Sequence, residues 1–295
     1  MSGAEALHAH LQDGVGSVCR AWAVIRKDGT KFGFTDHDRA LAFDGYEFKA
    51  DTGLSAKALQ QATGLSVDNT EAMGALSDAA IREEDIAAGR FDGAEVIAWL
   101  VNWSDVTARR IMFRGTIGEL RRGGGAFHAE LRGLTEALGR PIGRVYQKPC
   151  SAVLGGRGCR FDLDTPGYFL EAPVAQVEDN RVFSFEGATE FETDWFQRGR
   201  LDVISGAAKG LSGSIKRDRL TGTGHRDLEI WEPLRATIEP GDIIRISAGC
   251  DKRMETCRLK FNNLLNFQGF PDIPEEDWVT VYPTHAKKQN GGSRR

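Results

Sequence analysis

Four cysteines carry the clearest chemistry in this sequence. Two lie in CSAVLGGRGCRFD (Cys150 to Asp162) and two in GCDKRMETCR (Gly249 to Arg258), giving the spacings C-x8-C and C-x6-C with ninety residues between the pairs. As thiolates, Cys150, Cys159, Cys250 and Cys257 form a set of four soft donors. Three chemistries compete for them. Structural zinc usually draws ligands from knuckles of two to four intervening residues, and both gaps are wider than that. Two disulfides require an oxidising compartment and serve chains too small to build a core. A [4Fe–4S] cluster also takes four thiolates, and its size suits longer ligand loops.

The flanking residues suit a cluster. Gly155, Gly156 and Gly158 let backbone approach inorganic sulfur and aim N–H groups at it. On a single helix Cys250 and Cys257 would be about 10.5 Å apart along the axis. Cys250 is therefore expected in a turn that folds back over the helix carrying Cys257, where helical N–H groups favour negative charge. Arg157, Arg160, Lys252 and Arg258 add cations nearby. Metal or cluster binding is the expectation; reduced structural cysteines are the alternative.

Other candidates are weaker. Cys19, in SVCRAWAV, reads as a small core residue. His37 lies between two acids in TDHDR (Thr35 to Arg39), a pattern with acid–base or metal potential that is more often a structural polar network or interface. His37, His128 and His225 could serve a Cys–His hydrolase, but none has a local signature around a nucleophilic cysteine. There is no G-x-S-x-G, H-E-x-x-H or P-loop, and no G-x-G-x-x-G between a strand and a helix. Enzyme activity is not expected. FETDWFQRGRL (Phe191 to Leu201) reads as either core or a partner-binding edge.

The elements that must position these residues are mostly strands. A chain of 295 residues, 41% apolar and 27% charged, supports sizeable cores and about two domains. No apolar run approaches the ~18 residues of a membrane span. The polar start MSGAEALHAHLQDG is not a signal peptide, so folding in a reducing cytosol is expected. A net charge of -4 lacks the basic excess of a dedicated nucleic-acid binder, and the basic clusters read as solvated faces.

Asp28-Gly29, Asp44-Gly45 and Asp179-Asn180 mark hairpin turns, the last inside FLEAPVAQVEDNRVFSF. EVIAWLVNW predicts a strand buried on both faces. Helices are predicted from an N-cap at Ser77 to Gly89, over Leu134 to Tyr146 with a break before Pro141, and after Cys250. In the last, Met254, Cys257, Phe261, Leu264 and Leu265 share a face and Asp251 caps the start. HAKKQNGGSRR is a polar tail. The expected class is α+β, β-rich, with domains at 1–146 and 147–295 and the cysteine site near their junction.

Two cysteine-bearing segments resemble a known family. GCDKRMETCRLKFNNLLNFQGFPDIP (Gly249 to Pro274) and YQKPCSAVLGGRGCRFD (Tyr146 to Asp162) are similar to signatures of phage tail hub proteins. Their paired spacing resembles that of the phage lambda tail-tip protein L, whose C-terminal domain carries a [4Fe–4S] cluster. FGFTDHDRAL (Phe32 to Leu41) looks like the opening signature of baseplate hubs from Rhodobacter-type gene transfer agents. The resemblance covers most of the chain.

The resemblance implies a virion part rather than an enzyme, in the tail baseplate of a particle assembled in the bacterial cytoplasm. It implies a homotrimer of chains with two tail-tube-like domains, between the six-fold distal tail ring and a trimeric tip- or fibre-like protein. DNA passes through in transit only, which suits a chain without basic excess. Cys150, Cys159, Cys250 and Cys257 carry over as the four cluster ligands. In that setting the cluster is expected to clamp the fold rather than transfer electrons. The alternative is a cytosolic iron–sulfur or zinc enzyme with redox or nucleic-acid-processing activity.

Overall fold

The turn residues set the strand boundaries. In the computed structural model Gly29 has φ 85°, and β1 (Val18–Ile25) pairs antiparallel with β2 (Lys31–Thr35) across it. Asp44 and Gly45, with φ of 51° and 74°, join β3 (Leu41–Phe43) to β4 (Tyr46–Phe48). Both central residues at positive φ match the right-handed twist of the strands they connect. The structure describes residues 2–14, 16–50, 69–74, 82–123, 126–133, 139, 143–222 and 224–273. The predicted cap at Ser77, most of the predicted helix from Leu134 and the polar tail lie outside these residues.

The chain divides into two units, Met1–Pro141 and Ile142–Arg295. Both are β-rich and built on antiparallel sheets with a few short helices, an α+β class. In the first unit β5 (Asn69–Gly74), β6 (Glu95–Asn102), β7 (Arg109–Gly123) and β8 (Ala126–Gly133) complete a sheet of order β2-β1-β6-β7-β8-β5. Successive side chains point to opposite faces of a strand. Trp22, Val24, Val96 and Ala98 pack with Phe91 and Phe113 in one cluster. Ala21, Ala23, Ile97, Trp99 and Val101 pack with Phe43 and Phe48 in another. Two buried faces explain the nearly continuous apolar runs of β1 and β6, as expected for EVIAWLVNW.

The β3–β4 hairpin lies directly on β2, where a Cβ at Gly33 would sit 2.2 Å from the Glu47 carbonyl oxygen. The polar N-terminus forms α1 (Gly3–Gln12), closed by a capping box in which Glu5 N–H donates to Ser2 Oγ and Ser2 N–H to Glu5 Oε2. α2 (Glu83–Ala87) starts after Arg82 and ends at Gly89, φ 71°.

The second unit holds β9 (Phe169–Pro173), β10 (Gln176–Glu178), β11 (Val182–Glu186), β12 (Arg200–Val203), β13 (Ser212–Leu220), β14 (His225–Ile230) and β15 (Ile243–Ser247). Their order is β10-β11-β14-β13-β12-β15-β9. Phe183, Phe185, Phe196, Leu201, Ile215, Leu228, Ile230, Ile244 and Ile246 form the core. Asp179 and Asn180 turn β10 into β11 as expected, with φ of 53° and 51°. The segment from Phe169 to Phe185 is not one hairpin, however: β9 leaves it and pairs with β15.

That pairing builds the cysteine site. Ser247 lies opposite Phe169 in the antiparallel register, and Ala248 N–H donates to the Tyr168 carbonyl at 2.7 Å. The chain leading into β9 and the chain leaving β15 therefore run side by side. They carry one cysteine pair each.

A buried ion pair fixes a third segment beside them. Arg226 and Asp218 are both fully buried, with Nε donating to Oδ1 at 2.6 Å. Arg226 also donates to the carbonyls of Ala188, Phe191 and Glu192, and Asp218 accepts the Phe196 N–H. The ion pair thus anchors the loop that carries Trp195.

Candidate functional site

β15 ends at Ser247, and Cys250 follows in an extended loop whose Lys252 has φ 68°. α3 (Met254–Leu259) then presents Cys257 on its buried side. Cys250 lies in the lead-in to the helix, as the axial distance required. The helix is shorter than predicted. It begins after Arg253, and Asp251 is not the cap but accepts the Arg253 N–H at 2.9 Å. Phe261 is buried beyond the helix, whereas Leu264 and Leu265 sit on a 3₁₀ turn (Leu264–Asn266) with Leu265 fully exposed. The left-handed Asn262, φ 46°, breaks the helical face that the spacing suggested.

All five cysteines are free thiols. Burial pushes the Cys257 thiol up to about 11, and charges at Cys150, Cys159 and Cys250 push it in the same direction. Burial likewise raises Cys250, with Cys150 among the further causes. The four predicted ligands therefore share one electrostatic neighbourhood. Among the described residues no three His, Cys, Asp or Glu side chains are gathered closely enough to hold one metal ion.

Gly156 and Cys159 amides close local turns on Val153 and Gly156. The Gln268 N–H donates to Cys150 Sγ at 3.4 Å, and Asn263 Nδ2 reaches Cys159 Sγ at 3.5 Å. Asn263 Nδ2 also donates to the Cys159 carbonyl at 2.7 Å, and Cys257 Sγ donates to the Asn263 carbonyl at 3.3 Å. Cys150 N–H donates to the Lys252 carbonyl at 2.8 Å, joining the two cysteine segments directly. Of the four cations expected nearby, Arg157, Arg160 and Arg258 are exposed, and Lys252 Nζ donates to the Ala152 carbonyl.

A cation that the sequence reading missed is more enclosed. Lys260 Nζ donates to the carbonyls of Trp195 at 2.5 Å and Gly249 at 3.0 Å, and lies 4.1 Å from the Trp195 ring centroid. Burial lowers its ammonium to about 8. Tyr168, Phe161 and Phe261 stack beneath, with Phe161 centroids 4.7 Å from Tyr168 and 4.9 Å from Phe261. Asn263, Gln268 and Lys260 have no recognisable spacing; only the repeated asparagines of FNNLLN hinted at a turn there.

The other candidates make contacts of their own. Thr35 Oγ1 donates to the Arg20 carbonyl and Asp36 Oδ1 accepts the Arg20 N–H, tying TDHDR to β1. His37 Nδ1 accepts the Arg39 N–H at 2.9 Å, and its ring packs 5.1 Å from Trp103. The motif is a polar network around a strand end. Cys19 is buried in the core. His225 opens β14, and His128 lies on β8. Phe196 and Leu201 are core, while Phe191 and Trp195 line a cavity of about 570 Å³ together with Phe169, Glu190 and Glu192.

Comparison with known proteins fits this layout. Residues 4–162 match the family model described as baseplate hub protein, N-terminal attachment domain. Residues 194–277 match a second model, phage conserved hypothetical protein BR0599. Each match includes one cysteine pair. A chain in the solved structure titled "Virion of native gene transfer agent (GTA) particle" is 55% identical, with a TM-score of 0.90 over 98% of this chain and 99% of that one. No curated protein matches.

Proposed function

The chain belongs to the phage baseplate hub family, and we propose that it works as the tail hub of a gene-transfer-agent-like particle, with a [4Fe–4S] cluster on Cys150, Cys159, Cys250 and Cys257. The observation that carries the hub reading is end-to-end likeness, at 55% identity, to a chain of a native gene transfer agent virion. In this reading the protein is a structural virion component of the tail baseplate, assembled in the bacterial cytoplasm, and not an enzyme. Three copies form a ring between the six-fold distal tail ring and a trimeric tip protein, around the channel through which DNA leaves. Two β-rich units per chain support that symmetry, since three chains then offer six β-rich units to a six-fold ring. No described helix is long and apolar enough to cross a membrane.

The donor set fits the cluster. Four free thiols share one neighbourhood, with amide groups of Gln268 and Asn263 donating to two of the sulfurs. Hydrogen bonds to sulfur are among the levers by which proteins tune iron–sulfur sites. Bound there, the cluster supplies a covalent tie between the entry to β9 and the exit from β15, so its role is a clamp.

Anaerobic purification of the full chain, followed by iron and sulfide analysis, tests the cluster. About four of each per chain are expected for a [4Fe–4S] unit, and zinc alone rejects it. Fractionation of intact tail particles tests the hub, which is wrong if the chain is absent from purified baseplates.

A further inference from the structure

Lys260 is placed unusually for a lysine. Its ammonium is folded inward against two carbonyl oxygens and the face of Trp195, with the Phe261 ring 5.5 Å away. Among the described residues no carboxylate forms an ion pair with it. Carbonyls and ring faces stabilise an ammonium, but they supply no formal negative charge to offset its desolvation. A half-buried cation of this kind destabilises the fold unless an anion lies close.

The four-thiol site becomes a source of one when its thiols bind metal. Lys260 lies three residues after Cys257 and holds the carbonyl immediately preceding Cys250. Metal ligation requires thiolates, so loading introduces negative charge next to a cation already enclosed. Arg157, Arg160 and Arg258 are exposed, and their fields are screened by water and salt.

We propose that Lys260 is the internal counter-cation of the four-thiolate site and a positioning residue for the Cys250 loop. The assignment rests on the cluster reading above. Loading then sets negative charge beside a cation that no described carboxylate pairs with directly, so Lys260 couples metal occupancy to the stability of the second unit. Trp195 is the rigid support of this arrangement: its carbonyl accepts both Lys260 Nζ and the Gly249 N–H, and its loop is tied down by Arg226.

The test compares wild type, Lys260→Met and Lys260→Arg as full-length chains, with and without iron. Rate of iron release to a chelator and melting temperature of both forms are the readouts. Release should be about tenfold faster in the Met variant, the low end for loss of an outer partner of metal ligands, and close to wild type in the Arg variant. The rise in melting temperature on loading should shrink in Met and persist in Arg. Should the Met variant fail to fold, Lys260→Gln keeps a donor without the charge and takes its place. Equal losses in loaded and metal-free forms, with unchanged release, make Lys260 a plain structural clamp and overturn the assignment. A wild-type chain without iron overturns the cluster reading, and the assignment with it.

Discussion

Asn263 shows how much a single residue can coordinate. It holds the Cys159 carbonyl and approaches its sulfur through Nδ2, accepts from Cys257 through its backbone carbonyl, and takes a bond from Asn266 on Oδ1. Removing the amide in Asn263→Ala leaves the Cys159 carbonyl without this donor and loosens its loop. Urea unfolding should register a loss of about 1–3 kcal/mol in the second unit, with iron retention reduced as well. The four cysteines were legible as one group because their paired spacing repeats, and their charges act on one another in the fold. Asn263, Gln268 and Lys260 were not, because amides and lysines are common and their meaning comes only from what the fold brings to them. Leu264 and Leu265 misled for a related reason: their helical spacing is sound, but Asn262 at positive φ ends the helix before they are reached.

At the level of elements, the site depends on how closely the β15 exit presses against the Trp195 loop. A Cβ at Gly249 would lie 1.6 Å from the Gln197 carbonyl oxygen and 2.8 Å from the Gly199 nitrogen, both backbone atoms. Gly249→Ala should therefore cost about 3 kcal/mol or more and displace Cys250. Gly222→Ala, facing open space, is the matched control and should leave thermal unfolding unchanged. The hairpins at Asp28-Gly29, Asp44-Gly45 and Asp179-Asn180 could be read in advance, since the turn chemistry is local. The pairing of β9 with β15 could not. Its register is set by burial of Leu170, Ala172, Ile244 and Ile246 against a core assembled from distant strands, and no local signal specifies that partner.

For the whole molecule, each unit has its own core, so damage at the cysteine site should stay in one of them. Cys257→Ala removes one of the four thiols and, in the proposed hub, the closure of a loop of ninety residues. Hydrogen exchange should show lost protection in β9 and β15 with β1 and β6 unchanged, and tail assembly should fail. Normal assembly by the iron-free variant would separate the clamp from the hub. The β-rich class was legible from turn spacing and strand periodicity, whereas α1 was hidden in a start whose polar residues read only as an absence of signal peptide.

The β9–β15 pairing also sets a clock. β9 is the first strand of its sheet to leave the ribosome and β15 the last, so half of the thiol set waits while ninety residues of chain are made and folded. No truncated or stalled product that lacks β15 presents all four sulfurs. A set that needs all four thiols is complete only once synthesis has passed Cys257.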